Sequence, residues 1–268
     1  MKQYNHETMK PYLKWKEEKN PAFDEAKIND LYNEGFLFGR NEKNLLYQTR
    51  SLRIDLTKFE LTSENRRILR KTEEVLLKKY PLPYANYDWT IGKLGKDFYT
   101  TKFGDGIFSA NKIKELLTDP EKSNFNTLFA FVIARSAERT TKQSPGIQGL
   151  HDKKMNVEIQ EIATSDDANR PPSNDSAAIG YCITLETNDL VHYCYPFYQL
   201  ENTLPNLGLG MMLKAIVYAK DQGKKYIYLG SAQRPTDTYK LQFEGLEWFD
   251  GEAWKTDRDE LKKILEKL

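Results

Sequence analysis

Apolar residues recur with helical spacing between residues 207 and 221. Leu209, Met212, Leu213, Ile216 and Val217 fall at i, i+3, i+4, i+7 and i+8, with Lys214, Lys220 and Asp221 largely off that stripe. Pro205 and Asn206 stand just before the run, where an asparagine oxygen caps free amides, and Gly223 stands just after it, where a left-handed residue ends a helix. Residues 226–229 then alternate bulky β-formers up to Gly230. The pattern over 203–231 predicts a glycine-bearing loop, an amphipathic helix and a short strand. Free N–H groups at such a helix start, with Gly208 and Gly210 leaving room beside them, form an acceptor-binding device for a phosphate or a carbonyl oxygen. A Gly-x-Gly before a helix serves a tight turn or close helix packing equally well.

Elsewhere the period changes several times. Residues up to 20 read as a charged arm on which Tyr12 and Trp15 can dock. Asn20 as cap, Pro21 at the first helical position and Gly35 as terminator predict a helix carrying Phe23, Ile28, Leu31 and Tyr32. Residues 36–38, 44–47 and 52–56 read as short strands. Thr62 or Ser63 caps a predicted helix over 62–79 with Ile68, Leu69, Thr72, Val75 and Leu76 on one side. Arg66, Arg67, Arg70 and Lys71 share the opposite, basic face, with Glu73 and Glu74 near enough to pair with them. Residues 81–106, rich in Tyr, Gly and Pro, read as irregular, and Ser109 caps a short helix through Leu117. The continuous apolar run 128–134 predicts a strand covered on both faces, and 156–162 a second strand. Residues 135–154 and 164–176 are long polar loops. Residues 178–185 and 190–198 form a predicted hairpin, and Asp257 caps a last helix with Leu261, Ile264, Leu265 and Leu268.

Composition narrows the classes. At 268 residues, 39% hydrophobic and 12% aromatic, the chain is long and apolar enough for a core. Forty Lys and Arg against 39 Asp and Glu give a net charge of +1, so any basic surface is a local patch. Cys182 and Cys194 are the two cysteines, with no metal-ligand spacing, so no metal site is expected. No stretch reaches the roughly 18 apolar residues of a membrane span. A soluble, cytoplasmic protein, read as a monomer, is the expectation.

From Tyr195 the chain reads YPFYQLENTLPNLGLGMMLKAIVYAKDQGKKYIYLG, which resembles the aminoacyl-tRNA-protein transferases, the arginyl- and leucyl-transferases of the N-degron pathway. That family carries Y-x-F-Y-D-P, then S-L-G opening a helix, then G-x-x-Y-x-Y-L-G. Tyr195, Phe197, Tyr198, Leu207, Gly208, Gly223, Tyr226, Tyr228, Leu229 and Gly230 match. Downstream, Tyr239, Lys240, Phe243, Glu247 and Trp254 match Y-K-x-x-F-x-P-x-E and a following Trp. In LRIDLTKFELTSENRRILRK, Leu52, Arg53, Phe59, Ser63, Arg66, Arg67 and Arg70 match a second block. The family's N-terminal cysteines are absent, Gln199 and Leu200 replace D-P, Asn206 replaces the Ser, and Gly210 replaces an aromatic residue, so the chain reads as a divergent member.

The resemblance implies an α/β (α+β) fold: a GNAT-like mixed sheet with packed helices over 126–268, after a smaller α+β part over 1–125. It implies transfer of an aminoacyl group from aminoacyl-tRNA, the co-substrate, to the amine of a protein or peptide, with no further cofactor. Such a transfer needs a neutral amine at the ester carbonyl, a proton acceptor and oxyanion donors. Glu186, with Asp189 as rival, is the expected base, and Tyr239 a catalytic hydroxyl. Tyr195, Tyr198, Asn206, Leu207, Gly208, Leu209, Gly210 and Lys240 are the expected substrate contacts, and Arg53, Arg66, Arg67 and Arg70 the expected tRNA contacts. Two other readings fit the same residues: a GNAT N-acyltransferase using acyl-CoA, and a non-catalytic tRNA- or peptide-binding relative.

Overall fold

Eleven strands and six α-helices are described in a computed structural model covering residues 12–133, 178–201 and 204–268. The strands are β1 (Lys16–Lys19), β2 (Phe36–Phe38), β3 (Leu45–Gln48), β4 (Ser51–Asp55), β5 (Val75–Pro81), β6 (Thr127–Ile133), β7 (Ala178–Glu186), β8 (Leu190–Tyr198), β9 (Tyr226–Ser231), β10 (Leu246–Phe249) and β11 (Trp254–Lys255). The helices are α1 (Glu25–Asn33), α2 (Ser63–Lys71), α3 (Trp89–Phe103), α4 (Ala110–Thr118), α5 (Leu207–Asp221) and α6 (Arg258–Glu266). Eight strands form one mixed sheet in the order β11-β10-β4-β9-β8-β7-β6-β5, and β1-β3-β2 form a small antiparallel sheet. Among the described residues only β8 and β9 pair in parallel, because α5 carries the chain between them as a crossover. The expected fold class, a mixed α+β sheet with packed helices, holds.

The sheet separates two apolar layers, so its central strands are buried on both faces, as the run in β6 predicts. One layer joins Ile68, Leu69, Met211, Ile216, Leu261 and Leu265 from α2, α5 and α6. The other joins Ile28, Tyr32, Ile91, Phe98, Ile113 and Leu117 from α1, α3 and α4. The expected boundary at residue 125 does not divide this sheet: β4 lies between β10 and β9, and β5 forms the edge beside β6.

Several sequence expectations change. The helix expected over 62–79 ends at Lys71, and residues 75–81 form edge strand β5. Thr72 turns its hydroxyl back onto the Ile68 carbonyl (3.1 Å) and closes the helix, and seven pairs with β6 hold the following residues extended. The segment expected to be irregular contains α3, capped by Asp88, whose Gly92 and Gly95 broke the helical pattern. A Cβ at Gly95 would meet Ile113 at 2.5 Å, so glycine admits the crossing of α4. Asp24, not Asn20, caps α1, and part of the charged arm is strand β1. The strand expected over 156–162 and the loops around it lie outside the described residues.

Arg53 departs most from its expected role. It is 7% exposed in β4, its Nε donates to Glu247 Oε2 (2.8 Å), and its guanidinium lies between the rings of Tyr226 (3.9 Å) and Trp254 (3.8 Å). This guanidinium, paired through Nε and bonded through Nη1 to Asn33 (3.1 Å), is turned into the fold rather than presented on a surface for tRNA phosphates. Removing it leaves Glu247 buried with only exposed Lys58 as partner (3.3 Å). Arg53→Ala is expected to lower unfolding free energy by roughly 3 kcal/mol, read from urea denaturation.

Candidate functional site

The parallel pairing of β8 and β9 runs through only three residue pairs, Leu190 with Tyr226, Val191 with Ile227 and His192 with Tyr228. Beyond them each strand carries one extra residue. Tyr193 and Tyr195 of β8 oppose Thr184 and Ile183, which leaves Cys194 as a bulge. Tyr228 and Ser231 of β9 oppose Arg53 and Ser51, so two residues face one there, and Gly230 takes φ +77°, open to glycine without strain. Two bulges at one level bend the strands apart. Among the described residues the facing edges of 194–198 and 229–231 then have no ladder partner, and Pro196, which lacks an N–H, is tolerated in this stretch. The result is a cleft with a closed end at His192 and Tyr228 and an open end at Tyr198 and Ser231.

The crossover sets α5 over this cleft, with its start near the end of β8. Asn206 takes a left-handed conformation (φ 64°, ψ 25°) and makes no side-chain cap, contrary to its expected capping role. Gly210 donates to the Asn206 carbonyl (2.8 Å) and is the first amide of the helix with an intrahelical partner, so those of Leu207, Gly208 and Leu209 precede the ladder. The expected glycine loop is thus the first turn of the helix. Its glycines answer neighbours: a Cβ at Gly208 would lie 2.5 Å from the Tyr198 hydroxyl oxygen, and one at Gly210 would lie 2.6 Å from Thr72 Oγ1. Leu207 is buried, Leu209 packs on the core, and Asn206 is exposed.

Aromatic side chains line the cleft. Tyr198 packs at a tilt on Phe98 (4.7 Å between centroids), and Tyr195 packs edge-on to Phe108 and Phe125 with the Arg40 guanidinium over its ring. The Tyr193 hydroxyl is buried without a hydrogen-bond partner. Burial pushes it well above the usual phenol range, and Cys182, Tyr239, Tyr198 and Tyr99 add to the rise. Such phenols stay neutral at pH 7 and act as donors rather than bases. Lys240 is nearly buried; its amine donates to the Ser231 carbonyl (3.0 Å) and pairs with Asp237 (3.4 Å). Burial works against its charge, but Tyr239 and Asp237 outweigh this and hold its pKa above the usual value. Tyr239 beside it is 48% exposed.

Glu186 and Asp189 are not brought to this end. Glu186 closes β7 beside Tyr218, whose hydroxyl donates to it (3.0 Å), and Lys224 (3.2 Å) and Lys79 (3.5 Å) pair with it. Tyr218 lies eleven residues down α5 from Leu207, which puts Glu186 roughly 16 Å from the helix start. Asp189 sits in the same hairpin turn, where its carboxylate accepts from Asn29 (3.3 Å). The expected base therefore occupies the closed end, within an ion-pair cluster. On α2, Arg66, Arg67 and Arg70 are exposed as expected, with Arg67 paired to Glu64. The contact of Thr72 with Gly210 sets the end of this helix, with Arg70 and Lys71, against the start of α5.

Tyr193, Cys194 and Ser231 lie on the parting strands and Tyr12 bonds to Ser231; none of the four was among the expected site residues. A bulge has no periodic signature, so nothing in the spacing marks Cys194. Buried Lys214 on α5 was also missed; burial pushes its amine down to about 8, with Glu73 acting in the opposite sense. Among the described residues no group of three or more His, Cys, Asp or Glu is arranged to hold a metal, and no helix is long and apolar enough to cross a membrane.

No protein-family model matches the chain. It is similar to a protein named aspartate/glutamate leucyltransferase from Dinoroseobacter shibae, with 25% identity over 244 residues, 87% of this chain and 73% of that one. It is also similar to one of the same name from Ruegeria pomeroyi, with 24% identity over 86% of this chain and 72% of the relative. Among solved structures it overlaps L-PGS from Bacillus licheniformis at TM-score 0.40 and 8% identity, over 90% of this chain and 70% of that one.

Two outcomes follow from this geometry. Gly208→Ala drives a methyl into the Tyr198 ring and is expected to cost about 1–3 kcal/mol in thermal or urea unfolding. His192 is buried, with the Tyr32 hydroxyl on its Nδ1 (2.9 Å), and burial, aided by the Lys240 charge, pushes its pKa from 6.5 down to about 3. The unfolded chain therefore takes up this proton first as pH falls. Stability contributed by neutral His192 is complete above about 6.5 and is lost towards about 3, with a slope of up to about 1.4 kcal/mol per pH unit. Urea midpoints from pH 7 to 4 are expected to fall more steeply for the wild type than for His192→Gln.

Proposed function

We propose that this protein transfers an aminoacyl group from aminoacyl-tRNA to the amine of a protein or peptide, as the N-degron transferases do. The observation that carries the reading is the meeting, at one end of the sheet, of an uncapped helix start, a cationic lysine and a cleft with unpaired strand edges. Similarity over 87% of the chain to proteins named aspartate/glutamate leucyltransferase supports the reaction class.

In this reading the donor ester carbonyl lies against the first N–H groups of α5, where the helix dipole favours the developing oxyanion. A neutral acceptor amine enters the cleft and attacks the ester carbon. The C–N bond forms, the ester C–O bond breaks, and one amine proton passes to the leaving ribose oxygen. Because the ester is already activated, positioning supplies most of the rate. Glu186 holds the closed end of the sheet rather than a proton in flight. The Lys240 ammonium suits an acidic acceptor residue, the class in the relatives' name. Arg66, Arg70 and Lys71, beside the start of α5, provide the phosphate-contacting face of the tRNA. The glycines on which an acyl-CoA reading rests are filled by Tyr198 and Thr72.

The deciding assay offers a pool of radiolabelled aminoacyl-tRNAs to peptides with varied N-termini. Label on peptide, falling steeply with added salt, is the expected outcome; no label with any tRNA sinks the reading. Lys240→Met is expected to reduce kcat/KM for acidic acceptors about tenfold or more. Glu186→Gln is expected to leave kcat within about threefold while costing roughly 2 kcal/mol of stability, since Lys224 loses its buried partner.

A further inference from the structure

A side chain from neither strand reaches the parted end of β9. Tyr12, ahead of β1, reaches the cleft and its hydroxyl bonds to Ser231 Oγ. Tyr12 is 53% exposed, and its bond to Ser231 is made at the surface. Tyr12 thus stands on Ser231 of β9, beyond the last residue pair that joins β9 to β8. Lys240 holds the Ser231 carbonyl while Tyr12 holds its hydroxyl, so one serine fixes both side chains.

The strap behind Tyr12 is clamped. Leu13 N–H donates to Gln233 Oε1 (2.7 Å), Gln233 Nε2 donates to the Leu13 carbonyl (3.3 Å), and Thr49 Oγ1 donates to that same carbonyl (2.7 Å). Trp15 packs edge-on to Phe249 and against Gly251, where a Cβ would meet its ring at 3.4 Å. Such a clamp reads backbone only, so it fixes where residue 12 stands whatever its side chain. The side chain at 12 is then free to set the dimensions of the cleft.

We propose that Tyr12 is the wall of the cleft between β8 and β9 and sets the size of the group that the cleft admits. The transferase reading supplies only the identity of that group, an aminoacyl or acceptor side chain; the wall stands on geometry alone.

Cysteine chemistry tests this on the full chain. Cys194 is partly open within the cleft, while Cys182, the only other cysteine, is fully buried. Labelling of each thiol is followed by peptide mass spectrometry with iodoacetamide as the small probe and 5,5′-dithiobis(2-nitrobenzoate) as the bulky one. Tyr12→Ala is expected to raise the bulky-to-small rate ratio at Cys194 about tenfold, and Tyr12→Phe, which keeps the ring, to change it less than about threefold, with Cys182 unlabelled throughout. An unchanged ratio in Tyr12→Ala overturns the proposal. So does parallel labelling of Cys182, which would mean general loosening. Gln233→Ala frees the strap without touching the ring and is expected to move the ratio in the same direction as Tyr12→Ala; a ratio left at the wild-type value counts against the wall. Failure to label peptides in the transfer assay with these thiol results intact removes the transferase reading and leaves the wall in place.

Discussion

The parting of β8 from β9 after three pairs is the constraint on which the rest of the site depends. A parallel pair normally continues as long as both strands do, because each unpaired backbone group in a sheet interior forfeits a hydrogen bond. Here Cys194 and Gly230 each insert one residue at the level where pairing stops, and each strand keeps its other neighbour, β7 or β4, while leaving its partner. The sheet therefore opens without losing an edge. Helix α5 spans the crossover between these same strands, so its amino end lies over the opening and its carboxyl end over the joined strands. Polarity follows from topology: the positive helix end and the unpaired edges share one location.

Charge is distributed accordingly. At the closed end Glu186 meets Lys224, Lys79 and Tyr218, and on β4 Arg53 meets Glu247 between two aromatic rings. Buried pairs of this kind add little net stability but penalise any arrangement that separates them, which fixes how the strands and α5 sit. The open end is built differently. It is lined by neutral phenols, and the Lys240 ammonium, anchored by Ser231 and Asp237, supplies positive charge. Hydrogen-bond donors dominate there, which suits a ligand bearing carbonyl, carboxylate or phosphate oxygens.

Much of the architecture was legible in the sequence because it rests on local periodicity. The hairpin of β7 and β8, helix α5, strand β9 and the last helix lie where spacing predicts. What escaped was set by tertiary contact. Val75 to Tyr80 carry a helical stripe yet pair with β6, and Gly92 and Gly95 hide α3 because they serve its crossing with α4. The site was half legible. Tyr198, Lys240, Tyr239 and the start of α5 meet at the cleft, whereas Glu186 was expected from the acid that the family carries at the end of this strand, and the hairpin turn it opens lies at the opposite end of the strand from the residues that follow β8. Tyr12 had no motif to announce it.

The departures from the family's S-L-G-x-aromatic segment take on a different meaning once α5 is placed. A serine in the position of Asn206 would adopt extended backbone and bond its hydroxyl to the first amides. Asn206 instead turns the chain in the left-handed region, which asparagine tolerates, and makes no cap, so the first amides of α5 are left to solvent or ligand. Gly210, where the family carries an aromatic ring, lets Thr72 and the basic end of α2 approach to contact. An aromatic ring there would hold α2 away and separate Arg70 and Lys71 from the helix start. Both replacements thus bring positive potential to the mouth of the cleft, one by freeing amides and one by admitting cations. In physical terms they adjust how the site attracts an anion and leave its donors intact.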